Sequence, residues 1–122
     1  MKAYLTKSSQ REARSNGVSD TDCQEAIRRA ERGLVDADLG GRLIKQRIPR
    51  GNQGAARGSR AVVFFKRGEI AIFLHLFAKS DKANLTKSEL VLYLEFAKHL
   101  EELTQAKLRE LGATRGWREI EI

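Results

Sequence analysis

The 122-residue sequence predicts an α+β fold. Three observations carry this. Two apolar, β-rich runs, AVVFF and IAIFLHLFA, flank the polar break KRGE, which is the signature of an antiparallel hairpin. Capped helical stretches lie before and after that hairpin. No repeat and no long linker interrupts the order of helices, sheet, helix, so one domain over residues 1–122 is expected.

Taken in order, KAYLT reads as a short first strand. SSQREARSNG reads as a short helix stopped at Asn16-Gly17. SDTDCQEAIRRAERG is a stronger helix: Ser19 or Asp20 caps it, acids fill its first turn, arginines gather near its end and Gly33 stops it. LVDADLGG reads as a glycine-punctuated connector. RLIKQRI is a strand on which Lys45 and Arg47, two apart, share a face, and Pro49 ends it or marks an edge. In the hairpin, Phe65 is expected opposite Ile70. That register sets Arg60 opposite His75 and puts Lys79 on the same face, and a one-residue slip would undo it. In LTKSELVLYLEFAKHLEEL, Leu90, Tyr93, Leu94, Ala97 and Leu100 recur at helical spacing, with Thr86 and Glu89 as a capping box. Thr104 starts a further short helix ending near Gly112, and WREIEI alternates as a terminal edge strand.

The composition is 41% hydrophobic and 32% charged, which belongs to a globular protein with one modest core. The richest apolar stretch is strand-length, far below the roughly 20 residues of a membrane span. MKAYLTKSSQ lacks a signal peptide's apolar core, and a cytoplasmic location is expected. Cys23, the single cysteine, excludes an internal disulfide and reads as core filler.

The net charge of +7 is unevenly placed. Residues 1–38 carry seven Lys/Arg and seven Asp/Glu, and residues 69–122 carry eight and nine. Residues 39–68 carry eight basic residues and no acid. Within them, RIPRGNQGAARGSR holds four arginines and three glycines in fourteen residues. A segment of one sign raises a local potential suited to a polyanion. A cationic sheet face with a glycine-rich arginine loop is therefore the expected working surface.

Other chemistry finds little support. His75 and His99 lack partners at ligand spacing, so neither a metal site nor a cofactor is expected. Cys23 has no basic neighbour, and Ser59 beside Arg60 matches no nucleophile elbow. GNQGAARG lacks the Gly-Lys-Ser/Thr ending of a phosphate loop. A site built from cations suits RNA, which carries its own nucleophile in the 2′-hydroxyl. Guanidinium groups stabilise the charge that develops on phosphorus, and a lysine accepts the proton. Lys45, Arg47, Arg60 and Lys79 are the candidate catalytic residues. Arg42, Arg50, Arg57 and Lys82 are candidate RNA contacts around them. The same residues also fit simple phosphate binding, and charge alone does not separate the two.

Three ordered stretches, ERGLVDADLGGRLIKQRIPR, GSRAVVFF and FAKSDKANLTKSEL, resemble the RelE/HigB superfamily of bacterial toxins from type II toxin–antitoxin pairs, the HigB-like branch above all. The resemblance implies a RelE-like fold, with N-terminal helices packed on a twisted antiparallel sheet. It implies messenger RNA cleavage in the ribosomal A site and translation inhibition, through basic residues at the positions of Lys45, Arg47, Arg60 and Lys79. It also implies a cognate antitoxin, usually a helix-turn-helix protein, through which the toxin reaches operator DNA. Two places depart from RelE: an arginine is replaced by Ser80 and a tyrosine by Leu85. His75, expected beside Arg60, is the candidate accessory group for that missing tyrosine. Two further readings share the fold, a ParE-like gyrase poison and an RNA- or ribosome-binding module without catalysis. Cations spread over sheet and loop favour RNA.

Overall fold

The computed structural model describes residues 1–49, 58–80 and 84–122. The elements run β1 (Lys2–Leu5), α1 (Lys7–Ser15), α2 (Asp20–Glu31), β2 (Ala37–Gly40), β3 (Leu43–Ile48), β4 (Ser59–Lys66), β5 (Ile70–Ala78), α3 (Lys87–Leu100), α4 (Gln105–Arg115) and β6 (Arg118–Glu121). The α+β class is as expected.

Helix starts follow their side chains. Ser19 and Asp22 form a capping box on α2, and Thr86 and Glu89 form one on α3. Each box satisfies two backbone donors that the first helical turn leaves without partners. Thr6 and Thr104 cap α1 and α4. Helix α4 runs past Gly112 to Arg115, where Gly116 at φ +71° forms the left-handed cap. A mid-helix glycine costs only about 1 kcal/mol, so Gly112 interrupts nothing.

The strands form one six-stranded sheet in the order β2-β3-β4-β5-β1-β6. The sheet is mixed rather than antiparallel throughout, because β1 pairs parallel with β5 (Ala3 with Ala71, Leu5 with Phe73). The terminal strand β6 pairs antiparallel with β1 at the edge. The stretch expected to be a connector contains β2, which pairs Ala37 with Lys45 and Asp38 with Ile44. It is a four-residue edge strand held by backbone pairing, and it carries no run of apolar residues to announce it.

Both sheet faces are covered. Ala13, Cys23, Ala26 and Ile27 of α1 and α2 pack with Ile44, Ile48, Val63 and Phe73. Ala97, Leu100 and Leu108 of α3 and α4 pack with Leu43, Val62, Phe64 and Ile72 on the other face. Strand β4 lies in the middle and is buried from Ser59 to Phe65, as its unbroken apolar run requires.

The hairpin register differs from the expected one. Lys66 pairs with Ile70, so the turn has three residues instead of four. Leu74 is then an extra residue, because Val63 pairs with Phe73 and Val62 with His75. Beyond this bulge Arg60 faces Phe77 and Ser59 faces Ala78. Turn and bulge each shift the pairing by one, and together they restore the expected side-chain parity at the far end. The bulge is tied to α1: the Glu12 carboxylate accepts the Leu76 N–H at 3.0 Å and contacts His75 Nδ1 at 2.8 Å.

At the far end of the hairpin, Gly58 is buried against β3. A Cβ there would lie 2.0 Å from the Ile48 carbonyl oxygen. Gly58→Ala is expected to lower stability by about 1–3 kcal/mol, the range for an overpacked site, as read from chemical denaturation. Glu12→Ala strips a buried N–H of its acceptor and should also cost about 1–3 kcal/mol. Glu12→Gln keeps a carbonyl there and should recover part of that loss in the same measurement.

Candidate nucleic-acid interface

Alternation along three neighbouring strands decides which cations meet. On β3, Ile44, Gln46 and Ile48 are buried, Ile44 and Ile48 against the α1/α2 core and Gln46 against α2, so Lys45 and Arg47 emerge on the other face. Arg47 is the direct cross-strand partner of Arg60, and Lys45 is the partner of Val62. On the next strand, Phe77 faces Arg60 and His75 faces Val62. Lys79 follows the last residue of β5, and its N–H donates to Gly58 O at 3.2 Å. The same alternation carries it to this face. The register thus brings Lys45, Arg47, Arg60 and Lys79 to one end of one sheet face.

Like charges directly opposite on a sheet repel, so the Arg47–Arg60 pair is held at a cost. Arg60 is only 5% exposed, and its Nη1 donates to Ser59 O at 3.2 Å. Burial, followed by the nearby Arg47 charge, lowers its pKa from the usual arginine value, and Asp36 partly opposes this. Arg47 and Lys79 are exposed and Lys45 is half-buried. Lys45 Nζ donates to Asn84 Oδ1 at 2.6 Å. The Asp36 carboxylate, on the helix side of β3, pairs with Arg29.

The backbone beneath the cluster is fixed from the helix side. Asp36 Oδ2 accepts the Arg47 N–H at 2.7 Å, and Arg29 donates to the Arg47 carbonyl. Gln46 is fully buried. Its amide donates to Ala26 O and Leu34 O, and its Oε1 accepts the Asp36 N–H at 2.8 Å. Every strong polar group of that side chain is therefore used. A glutamine at an inward position of a strand, between Ile44 and Ile48, was a readable sign of such a network. Glu12, Asp36 and Asn84 had no comparable sign, since their partners are distant in sequence.

Other expected positions lie elsewhere. Arg42 has a positive φ of 66° at the β2–β3 turn and pairs with Glu101. It sits about 16 Å along the strand from Arg47 at roughly 3.3 Å per residue, away from the cluster. His75 is not opposite Arg60 but two residues along the same face, opposite Val62. Its ring contacts Phe77 and stacks with Tyr93 at 5.9 Å, and Nε2 is buried without a hydrogen bond. It is a packed histidine anchored to Glu12. Leu85 packs against the α3/α4 core, while Ser80 is exposed. Arg50, Arg57 and Lys82 lie outside the described residues.

No helix of the described residues is long and apolar enough to cross a membrane. No curated protein and no solved structure matches the chain. A family model described as the RelE toxin of the RelE/RelB toxin–antitoxin system matches residues 1–120. With helices on both faces of a six-stranded sheet and a match over nearly its whole length, the chain belongs to the RelE toxin family and is the toxin of a toxin–antitoxin pair.

Proposed function

We propose that this toxin is a ribosome-dependent endoribonuclease that cuts messenger RNA in the ribosomal A site, a member of the HigB-like branch. The observation that carries the reading is the cross-strand pairing of Arg47 with Arg60, flanked by Lys45 on the same face. A pair of arginines on neighbouring strands, with lysines on the same face, matches the charged oxygens of a phosphorane-like transition state.

In this mechanism the RNA 2′-hydroxyl oxygen attacks the adjacent phosphorus. Its proton passes to Lys45 or Lys79, acting as general base. Arg47 and Arg60 hold the non-bridging oxygens as charge builds. The phosphorus–O5′ bond breaks, and the departing oxygen takes a proton from a cationic side chain or water. The products are a 2′,3′-cyclic phosphate and a 5′-hydroxyl end, and the chemistry needs no metal ion. Arg60, anchored at Ser59 O, orients the group, while exposed Arg47 and Lys79 engage the chain. The cognate antitoxin is a helix-turn-helix protein in this reading, and operator DNA is reached only through it.

A non-catalytic reading is favoured by one observation. Leu85, where RelE carries a tyrosine, is part of the α3/α4 core and has no acid or stacking chemistry to offer. Brief expression followed by mapping of messenger 5′ ends separates the readings. Codon-phased cuts are expected. Intact transcripts with stalled ribosomes would support plain binding, and intact transcripts with DNA damage would support a gyrase poison.

Arg47→Ala and Lys79→Ala, both at exposed positions, should each slow cleavage by about 10²–10³-fold, the usual loss for one transition-state donor, with an unchanged melting profile. Arg60→Lys should do the same while keeping a cation on the buried strand. Full toxicity in all three folded variants would rule this centre out. Ribosome or RNA affinity should also fall steeply between 50 and 200 mM salt, as about one counterion is released per phosphate contact; a flat response would indicate an apolar interface.

A further inference from the structure

Three of the chain's eight phenylalanine, tyrosine and tryptophan residues line one groove of about 340 Å³. Tyr93 and Phe96 come from α3, Trp117 from the approach to β6, and Leu74 from β5. Lys7, at the start of α1, and Arg115, at the end of α4, also line it. No carboxylate does, and among the described residues neither cation has an acidic partner. Three other cavities each include carboxylates: Glu95 and Glu101 beside α3, Asp36 and Asp38 beside β2, and Glu119 on β6. Aromatic walls with unopposed cations match a nucleic-acid base and its phosphate.

The bulge in β5 shapes this groove and joins it to the cationic cluster. Strict alternation would send Leu74 and His75 to opposite faces. With Leu74 as an extra residue both face α3: Leu74 packs in the α3/α4 layer, and His75 stacks with Tyr93. Re-aiming a side chain is a known use of a bulge. From Phe77, the cross-strand partner of Arg60, ring-to-ring steps of 5.1 Å to His75 and 5.9 Å to Tyr93 lead into the groove wall. The other side is fixed as well. Gln10 Nε2 donates to Gly116 O at 2.6 Å and to Leu5 O at 3.2 Å, which ties the Trp117 segment to α1. Phe96, 40% exposed, is the ring most open to a ligand.

We propose that this groove is a second RNA site, where one unpaired base stacks on Phe96 and Trp117 while Lys7 and Arg115 hold its phosphate. The scissile link stays at Arg47 and Arg60. The base comes from the messenger strand held there or from ribosomal RNA beside it, and experiment separates the two. Stacking of this kind is tolerant of sequence, so the groove sets the length of RNA required and not its code. The inference rests on the cationic cluster being an RNA site and gives that site a second point of attachment.

The test measures binding of non-cleavable 2′-O-methyl RNA, a trinucleotide and oligomers of up to about 16 nucleotides, and of ribosomes with and without message. Phe96→Ala should weaken the long oligomers about 5- to 150-fold, the range for one stacked base, and leave the trinucleotide unchanged. Lys7→Gln/Arg115→Gln should lower the slope of log affinity against log salt by about 0.7, the single-strand value for one phosphate. Both of those positions are exposed, so this pair carries the test should Phe96→Ala lower the thermal midpoint. Abasic units placed one at a time should find one position whose loss weakens the wild type and adds nothing to Phe96→Ala. A messenger source gives these losses with oligomers and message-loaded ribosomes; a ribosomal source gives them with empty ribosomes instead. Affinities within twofold of wild type in every arm for both groove variants, with Arg47→Ala weakened, would overturn the groove and leave the cluster standing. An unweakened Arg47→Ala as well would remove the RNA reading and the groove with it. Groove variants that keep RNA and ribosome affinity but lose the purified antitoxin would make the groove a protein seat, which also overturns the proposal.

Discussion

Arg47 and Arg60 are direct cross-strand partners on β3 and β4, and the rest of the structure is arranged to hold that pairing. Left to themselves, Arg47 and Arg60 would turn apart into water. Arg60 cannot, because its strand is the buried centre of the sheet and its side chain lies almost wholly out of solvent. Arg47 is held through its backbone, whose N–H and carbonyl are both occupied by Asp36 and Arg29. Stability lost to repulsion is offset elsewhere, in two apolar layers that clamp the sheet from either side. Local electrostatic strain supported by a rigid scaffold is the usual physical form of a site that acts on a charged ligand.

The support for that pair comes from the face that does not carry it. Gln46 lies between Lys45 and Arg47 and points the other way, into α2. Its amide links the middle of α2, the approach to β2 and the middle of β3 in one satisfied set of bonds. A buried network of this kind is costly if half complete, so it fixes one arrangement of these segments. The cations therefore inherit their spacing from an uncharged side chain that never reaches the surface.

Much of this was legible in the sequence because the relevant signals are local. Ser19–Asp22 and Thr86–Glu89 announce helix starts within four residues. The acid-free stretch from 39 to 68 announces the charged face, and strict alternation places Lys45 and Arg47 together. What stayed hidden is non-local. Strand β2 exists through its pairing with β3, and no side-chain pattern encodes that. The parallel pairing of β1 with β5 depends on where α1 returns the chain. Leu74 looks like any other apolar residue of IAIFLHLFA, and only the Glu12 carboxylate, sixty residues away in the chain, makes a bulge there favourable. Arg42 was grouped with the cluster by charge, but strand direction carries it to the opposite end beside Glu101.

The bulge at Leu74 has a bearing on how this chain tolerates change. Side-chain orientation at the far end of β5 depends on the odd or even count of residues since the hairpin turn. Removing one residue from the turn, or one from the bulge, would swap inside for outside over 75–79 and bury the lysine end against α1. Removing both would leave the orientation as it is. Insertions and deletions in this hairpin should therefore survive only in compensating pairs, so the length of β5 is constrained by counting as well as by chemistry.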